Sequence, residues 1–516
     1  MPARRPPNLL VLAVDTLRAD RMSCYGHHRL TTPHIDRLAS QGVLFERAYA
    51  PNVPTTPAYA SMLTGMDVMT TRMVALAPKA PLPPPLRTMP ELLRELGYVS
   101  TCIGFGGKAW TEDRFRGFDS YHDFRSWMSW EERPGDKAEK LNDVAIPLME
   151  QFHRSDQPWL IFLRHMDPHS PYLPPSPFDR LFYSGDETDP AHLKTERSMR
   201  RVFDFAPFAE FFKSWMPPGV TDTEYVIAQY DGALAYMDAC VQRLFTRLEE
   251  LGAADNTIVL ITGDHGESFL EHDIFFDHHG LYEPTIHVPL IIRAPGWRDG
   301  GGGDHGKLPA GLRVPGYVTH QDMLPTLLEL IGESGGAGVP AAARKLLRDL
   351  EPDGQSVLPL ARGERRTNYS ELYLTECTWM RKRGWRTHEW KLIEALEPDF
   401  HGFPPVELYH LPTDPAETDN LAEREPEMVM LLRHRMQMWV DRRVKETGAS
   451  DPIQDYFIGT EKKIGSVGQA RRMQAQAAQA AEQQKPAPRK KSGARKAASP
   501  PAGPSSRKVA RSTGKK

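Results

Sequence analysis

Asn8-Leu-Leu-Val-Leu-Ala-Val-Asp15 and Thr257-Ile-Val-Leu-Ile-Thr-Gly-Asp-His265 share one pattern: a short apolar run that ends on an aspartate. A run that is apolar at nearly every position has no solvent face, so it reads as a strand covered on both sides, as in a parallel sheet. In such sheets, ligand groups gather beyond the carboxyl ends of the strands. Asp15 and Asp264 both stand at such ends.

Working outward, the pattern predicts a helix over 32–41 with Pro33 in its first turn, and another over 90–97 stopped by Gly97. Strands are expected at Tyr98–Gly104 and Trp159–Arg164, and a long amphipathic helix over 223–252 stopped by Gly252. This alternation predicts an α/β fold: a mostly parallel central sheet with helices on both faces. Residues 176–222 are rich in Pro and aromatics and are expected to serve as a lid or specificity loop. Gly300–Gly306 and Gly332–Ala343 are expected loops. From about Glu364 a smaller α+β unit is expected, with strands at 369–375, 390–394 and 407–409 and a helix over 422–446. The predicted organisation is a catalytic α/β domain (1–363), a C-terminal α+β subdomain (364–460) and a disordered basic tail (461–516).

The composition excludes several classes. A chain of 516 residues, 40% of them hydrophobic, can bury a large core, so it needs no disulfide framework. Cys24, Cys102, Cys240 and Cys377 are far apart and lack C-x-x-C spacing, which argues against a zinc knuckle or redox pair. The first apolar run ends in Asp15 without a small-residue cleavage site, so it is not read as a signal peptide. No stretch is apolar enough to span a bilayer, and a cytoplasmic location is expected. The net charge of −3 hides an asymmetry: Gly465–Lys516 holds 13 Lys and Arg against one Glu, leaving the rest at −15. The tail could therefore attract polyanions weakly, without the aromatic residues that base stacking requires.

The chemistry is carried by four separated segments. They are Val14-Asp15-Thr16, Pro54-Thr55-Thr56-Pro57-Ala58-Tyr59, His165-Met166-Asp167-Pro168-His169, and Gly263-Asp264-His265-Gly266 followed by His278-His279-Gly280-Leu281-Tyr282-Glu283. Read singly, each has a bland explanation: a capping Asp, a turn entering a helix, a tight loop. Together they supply carboxylates, a hydroxyl and an imidazole, a set suited to a hard or borderline divalent cation. A threonine bound to such an ion can lose its proton and become a nucleophile at neutral pH.

These segments, in this order, resemble the sulfatase family of the alkaline-phosphatase superfamily. The likeness runs across about 8–425 and includes Thr32-Pro-His-Ile-Asp, Met166-Asp-Pro-His-Ser-Pro-Tyr, Leu281-Tyr-Glu, His320-Gln-Asp-Met-Leu-Pro-Thr and Asp414-Pro-Ala-Glu-Thr-Asp-Asn-Leu-Ala. It implies an alkaline-phosphatase-like fold and hydrolysis of a small-molecule sulfate or phosphate ester with one divalent metal ion (Ca, Mn or Zn). It further implies Asp15, Thr55, Asp264 and His265 as metal ligands and Thr55 as nucleophile. His169, Lys108 and His278 are implied on the substrate side, where they could supply positive charge.

The departures from the family pattern matter as much. The motif C-x-P-x-R becomes Thr55-Thr56-Pro57-Ala58-Tyr59, so there is no formylglycine precursor and no Arg. Lys108 lacks the His that follows it in the family. His278 stands where many sulfatases have Lys, and Thr16 where a second Asp is usual. Asp264-His265 replaces the Asp-Asn of many arylsulfatases and moves metal preference from Ca²⁺ toward Mn²⁺ or Zn²⁺. These features resemble the phosphodiesterase and phosphonate monoester hydrolase side of the superfamily. The expected activity is ester hydrolysis with phosphoesters favoured. The alternatives are a non-catalytic binding protein on the same fold, or a group transferase using the same threonine.

Overall fold

The computed structural model describes residues 5–105, 114–123, 137–155, 157–205, 208–294, 310–334, 338–399 and 401–456. Lys108, Gly300–Gly306 and the tail from 461 lie outside the described residues.

The apolar runs become the centre of an eight-stranded sheet. Its order is Ser120–His122, Val99–Ile103, Trp159–His165, Asn8–Val14, Thr257–Gly263, His287–Arg293, Val43–Tyr49 and Leu312–Thr319. All neighbours are parallel except those of His287–Arg293, which runs antiparallel to both. Successive side chains of a strand point to opposite faces, so Asn8–Val14 feeds two cores. Leu10, Leu12 and Val14 pack with the helices Pro33–Ala39, Lys137–Arg154 and Thr223–Glu250. Leu9, Val11 and Ala13 pack with Thr55–Thr64, Met89–Glu95 and Met323–Ser334. A strand with no polar face is thus a strand with a helix layer on each side.

A second sheet runs Val406–His410, Trp390–Ala395, Arg381–Thr387, Glu371–Cys377 and Asn52–Val53. The helix Pro426–Thr447 covers it, burying Val429, Leu432, Met436 and Val440, one face at helical spacing. The last strand comes from far upstream: Thr375 pairs with Asn52, its N–H donating to Pro51 O at 2.9 Å and its hydroxyl to Asn52 Oδ1 at 2.9 Å. The C-terminal sheet is therefore stitched to the segment that leads into Thr55.

One expectation changes. Gly332 lies inside the helix Met323–Ser334, and Val339–Leu350 is a further helix, where one loop over 332–343 is predicted. The two helices pack where Gly332 faces Ala343: a Cβ built on Gly332 would lie 3.4 Å from Ala343 Cβ, an ordinary contact. The insertion 176–222 is anchored to the body of the domain. Its Tyr183, Val202, Phe208, Phe212 and Trp215 are buried in the same core as the helix Thr223–Glu250, which is what so many aromatics require. No helix among the described residues is long and apolar enough to cross a membrane.

Candidate active site

Sheet register brings the two aspartates together. Val14 pairs with Gly263, so the residues that follow, Asp15 and Asp264, leave adjacent parallel strands side by side. The Asp15 N–H donates to His165 O at 2.9 Å and the Asp264 N–H to Val14 O at 3.3 Å, extending the ladder beyond both strand ends. Thr16 then turns sharply, at φ 54°, and its N–H donates to Asp264 Oδ1 at 3.1 Å. The His265 N–H donates to the same oxygen at 2.9 Å. Gly266 follows because no side chain fits: a Cβ would lie 1.9 Å from Pro284 O.

Asp15, Asp264 and His265 are fully buried, and Thr55 nearly so. His265 Nδ1–H donates to Gly266 O at 2.9 Å, which leaves Nε2 as the lone-pair nitrogen. That nitrogen lies 3.1 Å from Thr55 Oγ1, 3.5 Å from Asp264 Oδ2 and 4.0 Å from Asp15 Oδ1. Both carboxylate oxygens are buried without a hydrogen-bond partner. Buried polar atoms are almost always satisfied, and three such donors from three residues, all within 4.8 Å of one another, are suited to a divalent cation. Thr55 opens the helix Thr55–Thr64, whose N-terminus adds partial positive charge. Thr56, its neighbour, donates its hydroxyl to Leu76 O at 2.7 Å instead.

The electrostatics of the pair are asymmetric. Burial raises both carboxyls. Arg164, whose Nη2 donates to Asp15 Oδ2, overrides this and holds Asp15 well below the usual carboxylate range. Burial and the charge of Asp15 push Asp264 well up. Sequence reasoning missed Arg164, which stands between Leu163 and His165 at the end of an apolar strand.

His169 and His278 border the cluster. The His278 ring stacks on His265 at 4.6 Å and 22°, and His169 lies 5.5 Å from His278. His169 Nδ1–H donates to Ser170 O at 2.6 Å. Burial pushes both imidazoles down to about 4, so at neutral pH neither carries the positive charge expected of it. Among the described residues, the cation paired with the cluster's carboxylates is Arg164. Asp277 was also missed: its Oδ1 accepts the His278 N–H at 2.7 Å and lies 3.4 Å from His279 Nδ1, and His279 Nε2 meets His401 Nε2 at 2.7 Å.

Known proteins are similar to this chain in sequence and fold. An N-acetylglucosamine-6-O-sulfatase of Bacteroides thetaiotaomicron is 24% identical over 510 residues, covering 84% of this chain and 87% of its own. A multifunctional alkaline phosphatase superfamily protein of Trinickia caryophylli is 26% identical over 425 residues, covering 69% and 77%. The crystal structure of the phosphonate monoester hydrolase of Agrobacterium radiobacter superposes with a TM-score of 0.63 at 22% identity, covering 85% of this chain and 96% of that one. The Sulfatase family model matches residues 7–333, the whole span from Asp15 to His265 and beyond, and the chain belongs to the sulfatase family, hydrolases of sulfuric or phosphoric ester bonds.

Proposed function

We propose that this chain hydrolyses phosphate or phosphonate esters in preference to sulfate esters, through a covalent intermediate on Thr55. The observation that carries the reading is Thr55 Oγ1 lying 3.1 Å from His265 Nε2, beside the unsatisfied oxygens of Asp15 and Asp264. A divalent ion held by Asp15, Asp264, His265 and Thr55, with Mn²⁺ or Zn²⁺ favoured over Ca²⁺ by the imidazole, would lower the hydroxyl's pKa and draw charge from the transferred group.

Thr55 Oγ attacks the phosphorus as its proton leaves. The bond to the ester oxygen breaks, and that oxygen takes up a proton and departs as the alcohol. Water then attacks the phosphothreonine, the bond to Oγ breaks, and the hydroxyl is restored. A formylglycine intermediate can collapse by elimination through its second hydroxyl. Thr55 has one hydroxyl only, so water must do this work, as in a phosphatase. Asp264 is held by two backbone N–H groups and His265 by Gly266 O, so the floor is rigid before substrate arrives. His169 binds a non-bridging oxygen or protonates the leaving group once the substrate's negative charge has raised its pKa. The relatedness to a multifunctional phosphatase-superfamily protein and the likeness to a phosphonate monoester hydrolase support the phosphorus side.

The test is a substrate screen of the purified protein with Mn²⁺, Zn²⁺ or Ca²⁺, using an aryl sulfate, a phosphate diester and an aryl phosphonate monoester. The highest kcat/KM is expected on a phosphorus ester, with a phosphorylated Thr55 peptide in quenched reactions. Turnover of the sulfate alone would overturn the preference.

A further inference from the structure

A buried lysine holds the loop that carries His169. Lys137 opens the helix Lys137–Arg154 and is only 2% exposed. The loop follows the strand Trp159–His165, and the His169 N–H donates to Met166 O at 2.9 Å, closing a turn. Lys137 Nζ plugs that turn, donating to His169 O at 2.9 Å, Met166 O at 3.4 Å and Pro171 O at 3.5 Å. Its charge is met by Asp167 Oδ1 at 2.9 Å, and Asp167 Oδ2 accepts the Ala138 N–H at 2.9 Å. The loop thus satisfies one of the free N–H groups at the helix start, and the first residue of the helix holds the loop. The helix itself is fixed. Ala138, Leu141, Ala145 and Met149 are buried at helical spacing in the core shared with Leu163, and Asn142 Nδ2 donates to Cys240 O at 2.6 Å.

We propose that Lys137 is a positioning residue for His169: its ammonium draws the carbonyls of Met166, His169 and Pro171 around one point and so sets the loop shape that presents the imidazole to the substrate. This rests on the substrate-side role of His169 proposed above. Taking a charge out of water is costly, and a buried ammonium persists only where oxygens satisfy it. Here those oxygens come from Met166, Asp167, His169 and Pro171, residues of a single loop. His169 Nδ1–H donates to Ser170 O, a carbonyl of the same loop, so ring and loop move together. Lysine suits the task because its compact charge and three donors match carbonyls that surround a point, which a planar guanidinium does not. Its donors are spent on the loop, so it acts through His169 rather than on the ester.

The experiment is a double-mutant cycle of Lys137→Met and His169→Ala in the full-length protein, with Mn²⁺ and a series of phosphorus esters of rising leaving-group pKa. Lys137→Met should lower kcat about tenfold on poor leaving groups, within the roughly hundredfold that a misplacement of about 1 Å can cost. Its losses across the series should follow those of His169→Ala, and KM and Mn²⁺ affinity should move less than kcat. In the His169→Ala background the same substitution should cost less than about twofold, because the group it places is gone. Lys137→Arg keeps the charge without the compact donor set and should fall between wild type and Lys137→Met. If Lys137→Met, which leaves Asp167 unpaired with Lys137, fails to fold, Lys137→Met/Asp167→Asn removes both charges and takes its place in the cycle. Equal losses in the two backgrounds would overturn the proposal, since a general loosening of the fold does not need His169. A loss carried by Mn²⁺ affinity alone would overturn it too. The two readings fail separately. Parallel losses that are flat across leaving groups would limit His169 to binding and leave Lys137 its role. If wild type turns over no ester, the hydrolase reading fails and NMR of histidine-labelled protein decides on Lys137. Lys137→Met should shift the His169 imidazole resonances, identified by their loss in His169→Ala, and unshifted resonances would sink the proposal.

Discussion

Asp15, Asp264 and His265 stand at the ends of two hydrogen-bonded parallel strands, whereas His169 and His278 stand on loops. The floor of the site inherits its geometry from the sheet: Val14 opposite Gly263 fixes the two carboxylates, and backbone N–H groups from Thr16 and His265 fix Asp264. The rim is held more locally, His169 by the carbonyl of its own neighbour and His278 by Asp277 and the stack on His265. Loops tolerate change that a strand register does not. A fold of this kind can therefore keep its carboxylate and imidazole floor while the residues of its rim change.

The sharpest way to break this division is Thr55→Ala. Loss of at least about a thousandfold in kcat/KM, roughly 4 kcal/mol of barrier, is expected with the fold intact by circular dichroism. Thr56→Ala should change far less, because its hydroxyl is committed to Leu76 O. Retention of activity within about tenfold by the Thr55 variant would reject the nucleophile.

Next in size is the metal. Asp264→Asn keeps the shape of the side chain but removes a buried charge from the cluster. It should lower Mn²⁺ content and turnover by about a hundredfold or more, and chelation of wild type should abolish turnover until the ion is returned. Activity that survives exhaustive chelation would detach the floor from any metal role.

The floor was legible in the sequence because its cause is coarse: two apolar runs each end on a carboxylate, and the pair carries the reading that a single capping Asp would not. Arg164 was hidden because an arginine near the end of a strand resembles an ordinary solvent-facing terminus, and only the register shows it turned toward Asp15. The strand Arg381–Thr387 was missed for a related reason. It reads as a charged loop, yet its charges are paired: Arg383 with Glu394 at 3.0 Å, Lys382 with Asp399 at 2.7 Å and Arg386 with Glu283 at 2.8 Å. Asn52–Val53 is too short to carry any pattern, and only tertiary pairing makes it a strand.

Rim substitutions should have smaller, substrate-dependent effects. His169→Ala is expected to cost about a hundredfold on esters with poor leaving groups and much less on good ones, if the imidazole protonates the departing oxygen. Equal losses across leaving groups would limit it to binding. The pH profile sharpens the point. Burial pushes the His169 and His278 rings down to about 4, so in the free enzyme they gain a proton only well below the ordinary 6.5. The kcat/KM profile, which reports the free enzyme, should therefore show no limb near 6.5 from either ring. A limb at pH 6–7 that vanishes in His169→Ala or His278→Ala would show that the rim is charged after all.

The smallest expected effect lies farthest from the chemistry and tests whether floor and rim are separable. His401 belongs to the C-terminal region, yet its Nε2 meets His279 Nε2 at 2.7 Å, and its ring stacks on Phe205 at 4.8 Å and Phe403 at 5.2 Å. His279 in turn lies beside Asp277, which accepts the His278 N–H. A hydrogen bond of this kind contributes about 1 kcal/mol, so His401→Ala should lower kcat about fivefold by loosening His278. His401→Phe keeps the stack without the hydrogen bond and should recover part of that loss. Mn²⁺ affinity should fall less than kcat in either variant, because this chain of contacts meets the metal ligands through the stack of His278 on His265. If His401→Ala releases the metal as readily as Asp264→Asn does, the rim is part of the floor's support and the division between them fails.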